Sequence, residues 1–283
     1  MVYNSNQVAE IVGVNVSTIK RWTVSGKLNC YKSAGGHRKF HLNHIKEFLK
    51  KNKSIHTNIN VSKLIGNNQS LLDAINNGKF NIIINYCIKS LVSGNSHKFF
   101  SVCNSLILIG NSYDFVFDNI LIPLLDNIGK KWLKGEISIS EEHMASIKIK
   151  KFLSDLNDDA NIKSAPSAFC FTLINDEHDI PLYMSELIFN ETKVKVHNLG
   201  PNLPMDDFLL LYNKYNPKYI FISLVYISDL DKINNELNFL CRNLSKKNTT
   251  IIIKGSGTSK LNLDYKNYKI VNSFKSFRNI LCS

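Results

Sequence analysis

The sequence has 283 residues, enough for two or three domains. Hydrophobic residues make up 44% and charged residues 20%, which excludes a wholly disordered chain, and no run approaches the ~18 uninterrupted apolar residues of a membrane span. The formal charge is +12, and residues 1–53 carry +8 of it, ten Lys/Arg against Glu10 and Glu47. The basic excess therefore sits in one short terminal segment, which points to an anionic partner, nucleic acid first. The bland alternative is a solvated, lysine-rich surface. The N-terminus lacks the basic-then-apolar pattern of a signal peptide, so a cytoplasmic protein without membrane association is expected. Cys30, Cys87, Cys103, Cys170, Cys241 and Cys282 form no CxxC pair, which favours reduced, mostly buried thiols over a disulfide framework or a zinc site.

In chain order, residues 1–52 read as a compact unit. Ser5 is placed to cap a short helix that ends before Gly13, and Asn15 to cap a second helix from Val16 to about Ser25. Gly26, Gly35 and Gly36 mark turns around a small hairpin, Asn29–Lys32 with Arg38–His41. Leu42–Lys51 predicts a third helix. Residues 53–69 are polar and weakly patterned, as in a linker. Residues 70–158 repeat apolar residues at helical spacing in Phe80–Val92, His97–Ile109, Tyr113–Leu133 and Ser138–Leu156, which predicts a four-helix bundle. Pro123 is expected to kink the third of these, and Ser138 with Glu141 forms a capping box before the last. Residues 166–283 change period. β-rich runs at Ala168–Ile174, Val194–Leu199, Tyr219–Tyr226, Thr250–Ile253 and Lys269–Val271 alternate with amphipathic stretches, which predicts a doubly wound parallel sheet. The fold class is multidomain α and α/β: a winged helix-turn-helix, a helical bundle and a flavodoxin-like parallel sheet.

Three clusters carry chemistry. In GVNVSTIKRW, Gly13 permits the turn and Ser17, Thr18, Lys20 and Arg21 line the exposed side of a helix sized for the DNA major groove, with Ile19 and Trp22 inward. In AGGHRKF, glycine backbone stands beside His37, Arg38 and Lys39, a device for positioning on phosphate. The second cluster is Trp132, nine residues, then Glu142-His143. A loop that folds back lets all three face one cavity, the indole over an apolar ligand face and the Glu-His pair on a polar group; a core Trp with an exposed pair is the ordinary alternative. The third is Asp176-Glu177-His178 directly after the first strand of the sheet. There Asp176 can hold one imidazole nitrogen and leave the other for a metal already held by a macrocycle; a solvated loop histidine is the alternative.

Residues 1–52 resemble the MerR-family DNA-binding domain. The bundle and sheet together are similar to the cobalamin-binding module of corrinoid proteins, and the W-x9-EH spacing resembles the signature of the CarH/LitR subgroup, the adenosylcobalamin-dependent, light-responsive repressors. The resemblance implies Trp132, Glu142 and His143 over the upper face of cobalamin, His178 as the cobalt axial ligand with Asp176 behind it, and Ser223, Gly255 and Gly257 around the nucleotide tail. It implies a double-stranded operator as partner, a homo-oligomer (dimer or tetramer) assembled with adenosylcobalamin in the dark, and no enzymatic turnover. The chain departs from the family pattern where Pro181 replaces a glycine, where Val225 replaces the usual Leu, and where Lys254-Gly255-Ser256-Gly257 replaces an adjacent glycine pair. Leu133 stands where some members have a second cobalt-binding His. Other readings are a MerR-type regulator whose degenerate cobalamin domain answers to another ligand or a protein partner, and a corrinoid methyl carrier.

Overall fold

In the computed structural model, residues 2–52, 59–157, 167–244 and 248–283 are described. They fall into two compact units, Met1–Asp158 and Asp159–Ser283.

The first unit opens with β1 (Val2–Asn4), which pairs with β3 (Arg38–His41); β3 pairs in turn with β2 (Tyr31–Lys32), giving the antiparallel order β1-β3-β2. Helix α1 (Ser5–Val12) is capped by Asn4 and not by Ser5. The Asn4 carboxamide accepts from the Gln7 N–H while Gln7 reaches back to the Asn4 N–H, a reciprocal box that serine one residue later does not make. Gly13 then takes φ 73°, a left-handed geometry that ends α1 and turns the chain into α2 (Val16–Val24). Asn15 caps α2 through the Ser17 N–H at 2.9 Å. Ile19 is fully buried, whereas Trp22 is only partly so and packs on Phe48 of α3 (Leu42–Lys51) at a ring separation of 4.7 Å.

The segment expected to be a linker does not run free. Residues 53–58 lie outside the described residues, but the Asn60 N–H donates to the Ile11 carbonyl, Val61 is buried, and α4 (Ser62–Ile65) packs on α1 and on α7. Helix α5 (Gln69–Asn76) begins within the same stretch. The bundle follows: α6 (Phe80–Val92), α7 (Ser96–Leu108), α8 (Tyr113–Val116), a π turn (Phe117–Leu121), α9 (Ile122–Leu133) and α10 (Ile139–Leu156). Helix α6 packs against α5, α7, α9 and α10. Pro123 sits in the first turn of α9, where its missing N–H is harmless, and the irregularity falls in the preceding π turn. The Ser138–Glu141 capping box is present.

The head is fastened to this bundle by buried and part-buried polar contacts. The Asn43 side chain donates to the Leu156 carbonyl at 2.7 Å and accepts from the Tyr113 hydroxyl at 2.7 Å. Lys46, itself buried, places its ammonium 3.2 Å from the centroid of the Tyr113 ring. Asn104 donates to the Tyr3 hydroxyl at 2.8 Å, and burial pushes the Tyr3 phenol up to about 12.

The second unit is a five-stranded parallel sheet in the order β5-β4-β6-β7-β8: β4 (Ser167–Thr172), β5 (Lys195–Gly200), β6 (Tyr219–Ser223), β7 (Thr250–Lys254) and β8 (Tyr268–Ile270). Phe171, Ile222 and Ile253 pack one face against α12 (Met205–Tyr215) and α13 (Leu230–Leu244). Phe221 and Phe189 pack with Phe274 and Phe277 on the other, where α11 (Ile180–Glu191) and α14 (Phe274–Cys282) lie. β6 ends at Ser223, three residues before the apolar run does, so that Leu224–Tyr226 become loop. A 3₁₀ turn (Ser256–Lys260) follows β7. All six cysteines are free thiols, and burial pushes those of Cys87, Cys103 and Cys170 well above the ordinary thiol value.

Asn43→Ala strips a partner from both the Leu156 carbonyl and the Tyr113 hydroxyl. It should destabilise the first unit by about 2 kcal/mol in urea unfolding. Asn127→Ala, which removes only an exposed bond to its own helix at Pro123, should stay within about 0.5 kcal/mol of the parent.

Candidate functional site

The head exposes one face of α2. Ser17, Lys20 and Arg21 are exposed and Thr18 is partly so, while Ile19 points into the core. The Asn15 cap holds the start of this helix open, since its carboxamide engages the Ser17 N–H and hydroxyl together. In the wing, the Gly36 N–H donates to the Ser33 carbonyl, and Gly36 takes φ 76°, which a glycine adopts without strain. His37 is exposed beside it, and Arg38 and Lys39 enter β3 partly exposed. Ser17, Thr18, Lys20, Arg21, His37, Arg38 and Lys39 thus all reach the surface of the head, with β3 held at its back by the buried Phe40.

In the bundle, Trp132 is 43% exposed at the end of α9, so the alternative of a core indole is not what forms. Leu133 beside it is more exposed still. Glu142 and His143 lie in the first turn of α10, with His143 Nδ1 2.7 Å from Glu142 Oε2, and Glu142 Oε1 accepts from the Ser146 hydroxyl. The Glu142 carboxylate is thereby fixed between its neighbour and the next turn, while the imidazole projects to the surface. A tight turn brings the chain out of α9: the Gly135 N–H donates to the Trp132 carbonyl and Glu136 pairs with Lys131.

In the second unit the polar centre is Asp176, in the loop after β4, where the strand order reverses between β4 and its neighbours β5 and β6. Its side chain is fully buried. One carboxylate oxygen accepts from the His178 N–H at 3.1 Å and stands 2.7 Å from His178 Nδ1; the other accepts from the Val225 N–H at 2.8 Å and the Tyr226 N–H at 3.1 Å. Burial acts to raise the Asp176 carboxyl, but these bonds outweigh it and hold the group below the ordinary aspartate value. The Thr172 hydroxyl donates to the Asp176 carbonyl. His178 is more than half exposed, and the Tyr226 ring stands beside it at 6.3 Å.

Ser223 is fully buried, and its hydroxyl has no hydrogen-bond partner among the described residues. Gly255 is required by the chain itself, because a Cβ there would lie 2.0 Å from the Leu224 carbonyl oxygen. Gly257 faces the Ile227 side chain, 2.9 Å from where a Cβ would stand. Pro181 occupies the first turn of α11 without disturbing it. Sequence reasoning missed the Val225 and Tyr226 N–H groups, because backbone donors leave no residue signature and that run reads as strand. Among the described residues no cluster of three or more His, Cys, Asp or Glu is arranged to hold a bare metal ion, and no helix is long and apolar enough to cross a membrane.

The helix-turn-helix domain family matches residues 2–53, and the B12 binding domain family matches residues 83–154. A curated relative, the HTH-type transcriptional repressor CarH of Myxococcus xanthus, is 26% identical over 109 residues, 38% of this chain and 36% of the relative. Over that stretch the chain is similar to this repressor. The match spans only about a third of that relative's length. The B12 binding domain match falls on the bundle and contains Trp132, Glu142 and His143. The monomethylamine corrinoid protein of Methanosarcina barkeri shares the fold at a TM-score of 0.56 and 14% identity, over 71% of this chain and 97% of that one.

Because the folded Asp176 carboxyl is held low, its contribution to stability is complete above the unfolded aspartate pKa of about 3.9 and is lost as pH falls through the lower folded value. Acid unfolding of the parent should therefore include a stability loss that sets in below about pH 4. Asp176→Asn should be less stable at neutral pH and should show less of that loss; an identical acid profile in the two proteins would count against the hub.

Proposed function

We propose that this chain is a DNA-binding transcriptional repressor whose oligomeric state and DNA affinity are set by adenosylcobalamin and light. The observation that carries the reading is the Asp176–His178 pair at the reversal point of the sheet, in the same chain as a basic helix-turn-helix head. An ionised carboxylate at Nδ1 fixes the tautomer, so that the lone pair lies on Nε2, the atom a cobalt ion would take. The orphaned, buried Ser223 hydroxyl fits a pocket whose polar partner comes from a ligand.

In this reading His178 would hold the cobalt ion through Nε2, with Asp176 as its positioning residue. Trp132, with Glu142 and His143, would lie against the corrinoid and exclude water from it. Ser223, Gly255 and Gly257 would hold the nucleotide tail. Bound adenosylcobalamin would supply a light-sensitive cobalt–carbon bond. Ser17, Thr18, Lys20 and Arg21 read the major groove, while His37, Arg38 and Lys39 hold the phosphates alongside. A dark homo-oligomer, dimer or tetramer, engages a double-stranded operator with several heads at once, which multiplies affinity; illumination dissolves it. The protein is then a ligand-biased switch with no turnover, working in the cytoplasm. A second reading, a regulator that answers to a different ligand, is favoured by the Ile227 side chain that fills the space against Gly257.

Gel filtration with absorption detection in the dark, with adenosylcobalamin, before and after green light, tests the reading. Co-eluting cobalamin on a large species that shrinks on illumination is expected. A single size free of cobalamin in both conditions leaves the second reading. Trp132→Ala should weaken the dark assembly, and His178→Ala should change the cobalt absorption spectrum.

DNA affinity should fall steeply with salt. Arg38→Ala should lower the slope of log affinity against log salt by about 1, the loss of one phosphate contact, and Arg21→Ala should also weaken binding. Unchanged affinity and slope in both variants would remove these residues from the interface.

A further inference from the structure

Positions 17, 20, 21 and 24 of α2 recur at the three-and-four spacing that lines one face of a helix. Ser17, Lys20 and Arg21 are exposed there, and Ile19 lies on the opposite side in the core. The fourth member of that face is Val24. It is 78% exposed, more than any other large apolar side chain among the described residues. The polar residues on either side of it are turned inward. The Thr23 hydroxyl donates to the Lys20 carbonyl at 2.8 Å and the Ser25 hydroxyl to the Trp22 carbonyl at 3.2 Å, so both are spent on the helix that carries them. Gly26, at φ 71°, then takes the chain away from α2. The C-terminal end of the polar face therefore closes on the two methyl groups of Val24.

A single exposed apolar residue is ordinary on a protein surface. This one stands in line with a hydroxyl and two cations, on the face of a helix sized for the major groove. Its branched side chain also makes a poorer helix former than alanine or a straight-chain polar residue, so helix stability does not account for it. Valine offers neither a hydrogen bond nor a charge to a phosphate. Among the base edges of the major groove, the apolar group is the C5 methyl of thymine.

We propose that Val24 reads a thymine through its C5 methyl group and is a specificity-determining residue of the head. The inference rests on the DNA-binding reading above. Ser17, Lys20 and Arg21 find acceptors on phosphates or on several bases, whereas Val24 gains only where a methyl group replaces water against it. The contact is non-directional and distinguishes thymine by buried apolar surface. One buried methyl group is worth about fourfold in affinity.

The full-length protein selects its preferred duplex from a random pool, and each thymine of that duplex is then replaced in turn by deoxyuridine, which lacks only the C5 methyl. Affinities of the parent, Val24→Ala and Val24→Thr are compared at one fixed salt concentration. Alanine is the better helix former at an exposed position, so Val24→Ala keeps the fold. The parent should lose about fourfold on deoxyuridine at one thymine for each bound head. In Val24→Ala that loss should vanish, with both duplexes bound as the parent binds the deoxyuridine one. Val24→Thr, which keeps the branch and one methyl, should still prefer thymine. A parent indifferent to deoxyuridine at every thymine, or a preference that survives intact in Val24→Ala, overturns the readout and leaves DNA binding standing. Selection of no sequence from the pool removes the DNA-binding reading and the readout with it.

Discussion

The second unit depends on one buried carboxylate. Asp176 gathers N–H groups from its own loop and from the loop after β6, so that two segments about fifty residues apart in the chain are held by a single side chain. The same group that closes the loops also fixes the ring of His178, and the exposed imidazole inherits its orientation from the fold. Both pairs of bonds must form for the charge to be tolerated in the interior, since a buried carboxylate with half its donors would be strongly disfavoured. Thr172 extends the arrangement by clamping the Asp176 backbone and the Asn202 N–H together. The chemistry on the surface therefore draws its precision from an interior that solvent does not reach.

Local signals were legible in the sequence where one residue decides one feature. Asn15 ahead of α2, Ser138 with Glu141 ahead of α10, and the alternation of periods after residue 166 each carry their meaning in a few positions. The D-x-H spacing likewise shows the Asp176–His178 contact, because two residues in one loop can hardly avoid each other. What depends on backbone or on distant partners was hidden. The apolar run Tyr219–Tyr226 reads as one strand, yet its last three residues leave the sheet, two of them to donate to Asp176. Asn4 outcompetes Ser5 as a cap because Gln7 completes the box, a choice that pattern alone leaves open. The contacts of Asn43 with Leu156 and of Tyr3 with Asn104 span more than a hundred residues and follow from no local rule.

The glycines illustrate how a motif can be structural and functional at once. Gly255 answers to the Leu224 carbonyl before it answers to any ligand, and Gly257 to Ile227. Their presence alone therefore says little about what is bound. The Ser223 hydroxyl is the more informative group, because nothing among the described residues meets it.

The packing of the head on the bundle has a mechanical consequence. Lys46 stacked on Tyr113, with Asn43 bridging to the end of α10, leaves α3 little freedom to pivot on the helices beneath it. A recognition element hung on a slack tether samples many operator spacings, and its tolerance is set by tether length. Here the tether is replaced by a buried seam. Under the proposed function, the distance and phase between two heads would be dictated by where their bundles stand, and an assembly of such chains would measure DNA as a ruler does, with the helical repeat as its graduation.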